Sequence, residues 1–135
     1  MNTSSIEADT PNKIALVMAT CNGAAFIEQQ LNSILNQTRP PDLVIIRDDV
    51  SNDSTFQILG RYAAQYGFQI SQNTERLGVN ENFTRAVADV PDDYLIAFCD
   101  QDDYWLPEKL EKSIALLQQI AKQPTEPALV YSDLI

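Results

Sequence analysis

Four runs of apolar residues, unbroken by polar alternation, constrain the fold of this chain more than any other feature. They are IALVMAT (14–20), LVIIRD (43–48), YLIAFC (94–99) and ALVYSD (128–133). A strand with one face in water alternates apolar and polar residues, so an unbroken run suits a strand covered on both faces. Helical signals lie between the runs. Phe26, Ile27, Leu31, Ile34 and Leu35 recur at helical spacing over residues 25–36, and Arg39-Pro40-Pro41 ends that helix. Asp53 or Ser54 is expected to cap a helix reaching Tyr66. Phe68–Ile70 reads as a short third strand. A polar loop from Asn73 to Asn80, with Gly78, leads into a helix to Ala88. Pro107 suits the first turn of a helix running to Lys122. The order β-α-β-α-β-α-β-α-β predicts an α/β fold with a doubly wound, mainly parallel sheet. Residues 13–135 read as one domain behind a flexible leader at 1–12.

Charge and residue types narrow the chemistry. The formal net charge is -10, and the 9 Lys and Arg are scattered singly, so no basic patch for nucleic acid is present. The acidity also opposes adhesion to anionic lipid. The histidine count of 0 excludes a Ser-His-Asp triad, a Cys-His pair and His-ligated zinc. Cys21 and Cys99, both at the ends of expected strands, read as small buried residues in a reducing compartment. No stretch has the length and apolarity of a membrane span or signal peptide, so the segment reads as cytoplasmic. Any approach to the inner face of the membrane is left to further parts of a longer parent.

The polar residues collect at the strand exits. In open α/β sheets ligands bind outside the carboxyl ends of the strands. Here those ends carry Thr20-Cys21-Asn22, Asp48-Asp49, Asp100-Gln101-Asp102-Asp103 and Ser132-Asp133. Carboxylates crowded on one rim repel one another unless a cation offsets them. Asp100 and Asp102, two apart, are hard oxygen ligands of the kind that suits Mg²⁺ or Mn²⁺. An ion held by one or two carboxylates keeps positions open for substrate phosphates. The same acids also suit a solvated turn whose last members favour the next helix N-terminus. An EF-hand loop starting at Asp100 is excluded, because Trp105 stands where glycine is needed. Neither G-x-x-x-x-G-K-[ST] nor G-x-G-x-x-G occurs, so a phosphate site here needs another source of positive charge.

Taken in order, five pieces resemble a known family. They are the strand ending Thr20-Cys21-Asn22-Gly23, the helix carrying Leu31, Ser33, Ile34, Leu35 and Gln37-Thr38, the exit Asp48-Asp49-x-Ser51-x-Asp53, the loop with Gly78 and Asn82, and the exit Asp100-x-Asp102-Asp103. The pattern is similar to family 2 glycosyltransferases of the GT-A fold. The run FCDQDDYWLPEKL looks like the branch that contains bacterial rhamnosyltransferases. The resemblance covers about residues 13 to 135. It implies a nucleotide-sugar-binding part of an inverting, metal-dependent transferase in cell-surface polysaccharide synthesis. The donor would be a nucleotide-diphosphate sugar and the acceptor a saccharide or lipid-linked hydroxyl. By the same resemblance Thr20, Asn22, Asp49, Asn82 and Asp100 bind the donor, with Asp49 on the base. Asp102 and Asp100 form a D-x-D pair holding Mn²⁺ or Mg²⁺, Asp102 nearest the metal. Asp48 supports its loop, and Trp105 and Pro107 shape the start of the following helix; Asp103 matches a frequent acidic position to which the resemblance assigns no role, and capping of that helix is its plain structural use.

Two positions depart from the family pattern. Val50 stands where relatives often carry glycine, and a φ above zero there would strain a β-branched residue. Glu81 adds negative charge beside the expected diphosphate. Family enzymes are also at least twice as long, with the catalytic base in the later half. The chain is therefore expected to be truncated, its sheet incomplete at the C-terminal side, its base beyond residue 135, and the isolated chain inactive for transfer. Two other readings fit the alternating order. One is a non-catalytic nucleotide-binding module. The other is a receiver-type signalling domain, which Thr20-Cys21-Asn22-Gly23 after the first strand and the missing lysine after the fifth disfavour.

Overall fold

A computed structural model describes residues 13–120 of the chain. The element order is β1 (Lys13–Thr20), α1 (Ile27–Leu35), β2 (Leu43–Asp48), α2 (Thr55–Tyr66), β3 (Gln69–Gln72), α3 (Val79–Val87), β4 (Tyr94–Asp100) and α4 (Lys109–Ile120). The strands form one sheet in the order β3-β2-β1-β4, and every pairing is parallel. The expected doubly wound α/β architecture is therefore present. The fifth strand expected at 128–133, the leader at 1–12 and the helix end at Lys122 lie outside the described residues.

The unbroken apolar runs have the expected cause. Ile14, Ala15, Leu16, Val17 and Met18 of the central strand β1 are all buried, because both of its faces are covered. Successive side chains point to opposite faces. Leu16 and Met18, with Val44 and Ile46 of β2, join the main core beneath α1, α2 and α4. Val17 and Ile45 face the other way, onto Ala86 and Phe83 of α3.

Several boundaries move, each for a local reason. α1 ends at Leu35, before the Arg39-Pro40-Pro41 stop, because the Gln37 side chain folds back to donate to Ser33 O at 3.2 Å. Helix α2 starts after Ser54, whose side chain makes no cap; Asp53 Oδ1 accepts the Thr55 N–H at 2.9 Å instead. β3 runs through Gln72 rather than ending at Ile70, since the pairing continues to Asp48↔Gln72. Pro107 lies in the turn before α4, not in its first helical turn. Its carbonyl accepts the Thr38 N–H at 2.8 Å, tying that turn to the end of α1.

The topology sets the position of any ligand site. From β1 the chain winds to β2 and β3 on one side, then crosses to β4 on the other. The switch point thus lies between the carboxyl ends of β1 and β4, where open α/β sheets bind ligands. The register aligns the exits, with Thr20 opposite Asp48, Asp48 opposite Gln72 and Ala19 opposite Asp100.

Candidate functional site

Three of the polar exits, those of β1, β2 and β4, meet in one cleft. A cavity of about 140 Å³ is lined by Thr20, Cys21, Asp49, Asn82, Asp100, Gln101 and Asp102, together with Ala19, Val79 and Phe83. Strands β1, β2 and β4 and helix α3 each contribute or lead into this wall.

Its floor is a buried network. Thr20 Oγ1 donates to Asp48 Oδ1 at 2.7 Å. Asp48 is fully buried and also accepts from Ser51 N, Ser51 Oγ and Gln72 Nε2. Four donors replace the water that a buried carboxylate loses, which fits the supporting role expected of it. Among the described residues no buried side-chain nitrogen or oxygen lacks a partner.

Asp49 is also buried, and it organises the 73–78 loop. Oδ1 accepts from Asn73 Nδ2 at 2.9 Å and Leu77 N at 2.8 Å, and Oδ2 accepts from Gly78 N at 2.9 Å. Gly78 has φ 88, a conformation that side chains avoid, and this turn aims both N–H groups at the carboxylate. Burial alone would raise the Asp49 carboxyl. The bonds from Asn73, Leu77 and Gly78, with the Arg76 charge, outweigh it and hold the carboxyl below its ordinary range. Asn73 Nδ2 also donates to Asn82 Oδ1, and Asn82 Nδ2 donates to Arg47 O at 2.8 Å. Asn82 thus pins α3 to β2 while lining the cleft.

The β4 exit is held from both sides. Upstream, Gln101 Oε1 accepts the Cys21 N–H at 2.8 Å and Gln101 Nε2 donates to Cys21 O at 2.9 Å. Downstream, Trp105 N donates to Ser33 Oγ, Gln37 Nε2 donates to Leu106 O, and Leu110 N donates to Gln37 Oε1. Trp105 is buried in the main core, where it fixes the approach to α4. Asp100 and Asp102 remain exposed between these anchors. Asp103 lies six positions before α4 and does not cap it; it borders a second hollow with Phe83 and Phe98. Burial and then the neighbouring Asp100 and Asp102 push its carboxyl above the ordinary range.

That repulsion bears on a metal. Among the described residues no group of three or more metal-ligating side chains gathers. Two exposed carboxylates cannot close a coordination shell. They do fit an open site for a hard divalent ion completed by substrate oxygens and water.

Some expectations are redistributed. Asn22 is exposed, with φ 52, and its Oδ1 accepts from Asn52 N at 2.7 Å. It braces the 51–52 turn and is not among the residues lining the cleft. Cys99 is buried as expected, whereas Cys21 is only half-buried and lines the cleft. Burial raises the Cys21 thiol above its ordinary value. Val50 has φ 57, so the strain expected of a valine there is present. Glu81 pairs with Arg85 at 3.3 Å on the exposed side of α3. Gln30, Gln101 and Asn73 were given no role from the sequence. For Gln30 the available signal was a polar residue inside the apolar stripe of α1; it is buried and its Nε2 donates to Cys99 Sγ.

The chain has relatives among known proteins. The model of glycosyl transferase family 2 matches residues 15–123. The chain belongs to glycosyl transferase family 2. That membership removes the receiver-type alternative. Among curated relatives of the family, the chain is 36% identical over 105 residues to a dTDP-rhamnosyl transferase, RfbG, of Shigella flexneri, covering 74% of this chain and 36% of that protein. It is 30% identical over 111 residues to TuaG of Bacillus subtilis, a protein named for a glycosyltransferase role in teichuronic acid biosynthesis, covering 78% and 42%. Among solved structures, TarS 1-349 of S. aureus in complex with UDP superposes with a TM-score of 0.70 at 27% identity, covering 79% of this chain and 32% of that one. A mannosyltransferase of Pyrobaculum calidifontis, solved with GDP-Man and Mn²⁺, shares the fold with a TM-score of 0.73 at 23% identity, covering 81% and 33%. The GT-A fold is thus the fold of this chain. The chain spans about a third of the length of the first curated relatives it matches. No described helix is long and apolar enough to cross a membrane.

Proposed function

We propose that this chain supplies the nucleotide-sugar side of a glycosyltransferase acting in cell-surface polysaccharide synthesis. The observation that carries the proposal is the convergence of Thr20, Asp49, Asn82, Asp100 and Asp102 on one cleft at the switch point between β1 and β4. Family membership supports it, as do the UDP and GDP-Man complexes of structural neighbours.

Each residue has a task that its geometry suits. A carboxylate offers about four acceptor positions. Asp49 uses three of them on Asn73, Leu77 and Gly78, leaving one for an N–H of the nucleoside base. Thr20 and Asn82 shape the walls around the nucleoside, their own polar atoms bonded within the protein. Asn22 acts on the donor indirectly, through the 51–52 turn. Asp102 and Asp100 would hold Mn²⁺ or Mg²⁺. When bound, such an ion offsets the charge that develops on the leaving diphosphate.

The reaction is inverting. An acceptor hydroxyl oxygen, on a saccharide or lipid-linked saccharide, bonds to the anomeric carbon on the face opposite the diphosphate. The bond from that carbon to the diphosphate oxygen breaks, and a general base takes the hydroxyl proton. We assign that base to none of the described residues, and the isolated chain is expected to bind donor without transferring it.

Amide-resolved NMR tests the site directly. Mn²⁺ added with UDP, GDP or dTDP should broaden the amide signals of residues 100–102 first, while the nucleotide shifts those of Thr20, Asp49 and Gly78. Broadening spread evenly over all the surface acids rejects the assignment.

A further inference from the structure

Gln101 stands between the two acids of the D-x-D pair, and no role in the reading above belongs to it. The parallel ladder between β1 and β4 ends at Ala19↔Asp100, after which the β4 backbone turns away. One step further, the side-chain amide of Gln101 meets the backbone of Cys21 with both of its groups, accepting from N at 2.8 Å and donating to O at 2.9 Å. A primary amide carries the same donor and acceptor pair as a peptide unit. Gln101 therefore adds one rung to the ladder with its side chain while its backbone is free to turn.

The β1 side is built to receive it. A Cβ added at Gly23 would lie 2.6 Å from Gln101 Cδ and 3.2 Å from its Cγ. Glycine is needed there for this close approach. The Gly23 segment is itself fastened to the start of α2, with Gly23 N donating to Thr55 Oγ1 at 2.8 Å and Ala24 N to Asp53 Oδ2 at 3.1 Å. The amide of Gln101 thus clamps the acid-bearing turn to a segment already fixed from its other side.

We propose that Gln101 is a positioning residue for the donor site: its bidentate bond to Cys21, seated over Gly23, sets where Asp100 and Asp102 lie relative to the nucleoside wall of Thr20 and Asp49. This rests on the donor-site reading for its consequence, but the joint itself does not. A glutamate at 101 would keep the bond to Cys21 N and set a carboxylate oxygen against Cys21 O. A methionine would fill the volume and make neither bond.

Two measurements on the 135-residue chain test this. The first is nucleoside-diphosphate affinity (UDP, GDP and dTDP) with and without Mn²⁺, expressed as the ratio of the two. Gln101→Met should reduce that ratio about threefold, a part of the roughly tenfold gain expected of the wild type. A role in general stability alone would weaken both affinities together and leave the ratio as in the wild type, which would overturn the proposal. The second is a stability cycle between Gly23→Ala and Gln101→Ala. Gly23→Ala should lower the melting temperature when Gln101 is present and have little effect when it is alanine, because residues in contact couple. Additive losses would overturn the joint. A wild-type chain without any Mn²⁺-dependent gain would strike the donor-site reading, and the cycle would still decide the joint.

Discussion

The carboxylate of Asp49 takes the backbone N–H of Gly78 at 2.9 Å, joining the exit of β2 to the turn that starts α3. Through this bond and its partners at Leu77 and Asn73, one side chain shapes both the wall of the cleft and the loop above it. Asp49→Ala leaves these three donors without an acceptor. Unfolding in urea should register a loss of about 3 kcal/mol, and nucleotide affinity should fall with or without Mn²⁺. A stability change within about 0.5 kcal/mol, the range of an ordinary surface substitution, would contradict the network.

The same bonds give the sign of a pH effect. Asp49 titrates lower in the folded chain than in the unfolded one. Its charge therefore contributes stability above the unfolded value of about 4, and that contribution is lost as pH falls through the lower folded value. Asp49→Asn should flatten the fall in melting temperature across this acidic window. A wild-type slope retained in the variant would contradict the assignment.

Asp103 carries the opposite sign. Burial and the charges of Asp100 and Asp102 raise its carboxyl, so its ionised form costs stability at neutral pH and the cost is relieved as pH falls through the raised folded value. Asp103→Asn should melt at a higher temperature than wild type at pH 7 without divalent ions. Millimolar Mn²⁺ should narrow the difference by screening the acids. Equal melting temperatures without metal would show that the crowding carries no energy.

Val50 is held at φ 57. Left-handed backbone costs a β-branched residue roughly 1–3 kcal/mol, and glycine gives back part of that through unfolded-chain entropy. Val50→Gly should stabilise the chain by about 1 kcal/mol, raising the melting temperature by roughly 4 °C. No change on substitution would mean that the surrounding turn relaxes around valine at no cost.

These sites differ in how far the sequence alone could find them. The strands and the shared rim were legible because burial on both faces leaves an unbroken apolar run, and parallel strands all exit on one side. Val50 was legible only through the family resemblance, since relatives often carry glycine there and glycine marks a backbone position with φ above zero, whereas the valine itself gives no such signal. The Gln101–Cys21 bond was not, since it joins residues 80 apart and depends on the register of β1 with β4. Asn22 looked like a wall residue from its place after β1, yet its left-handed backbone and its bond to Asn52 turn it to the neighbouring loop. Pro107 was assigned to a helical turn by local preference, whereas contacts with Thr38, 69 residues away, hold it in the turn before α4.

Donor binding and transfer should separate. Incubated with nucleotide sugars, Mn²⁺ and a saccharide acceptor, the 135-residue chain should yield no glycosylated product. General base catalysis alone is worth about 10²–10⁴-fold, and acceptor positioning contributes further. Robust product formation would place the base inside the chain, with Asp103 and Asp133 the first to substitute.

Titration calorimetry of a nucleoside diphosphate against wild type and Asp102→Asn, each with and without Mn²⁺, addresses the central claim most directly. The substitution keeps the shape of the side chain and removes its charge. The wild type should bind at least about tenfold more tightly with Mn²⁺, a difference of roughly 1.4 kcal/mol, and Asp102→Asn should lose most of that gain. The same Mn²⁺-dependent gain in both proteins would contradict the assignment of Asp102 and, with it, the donor site at the β1–β4 switch point.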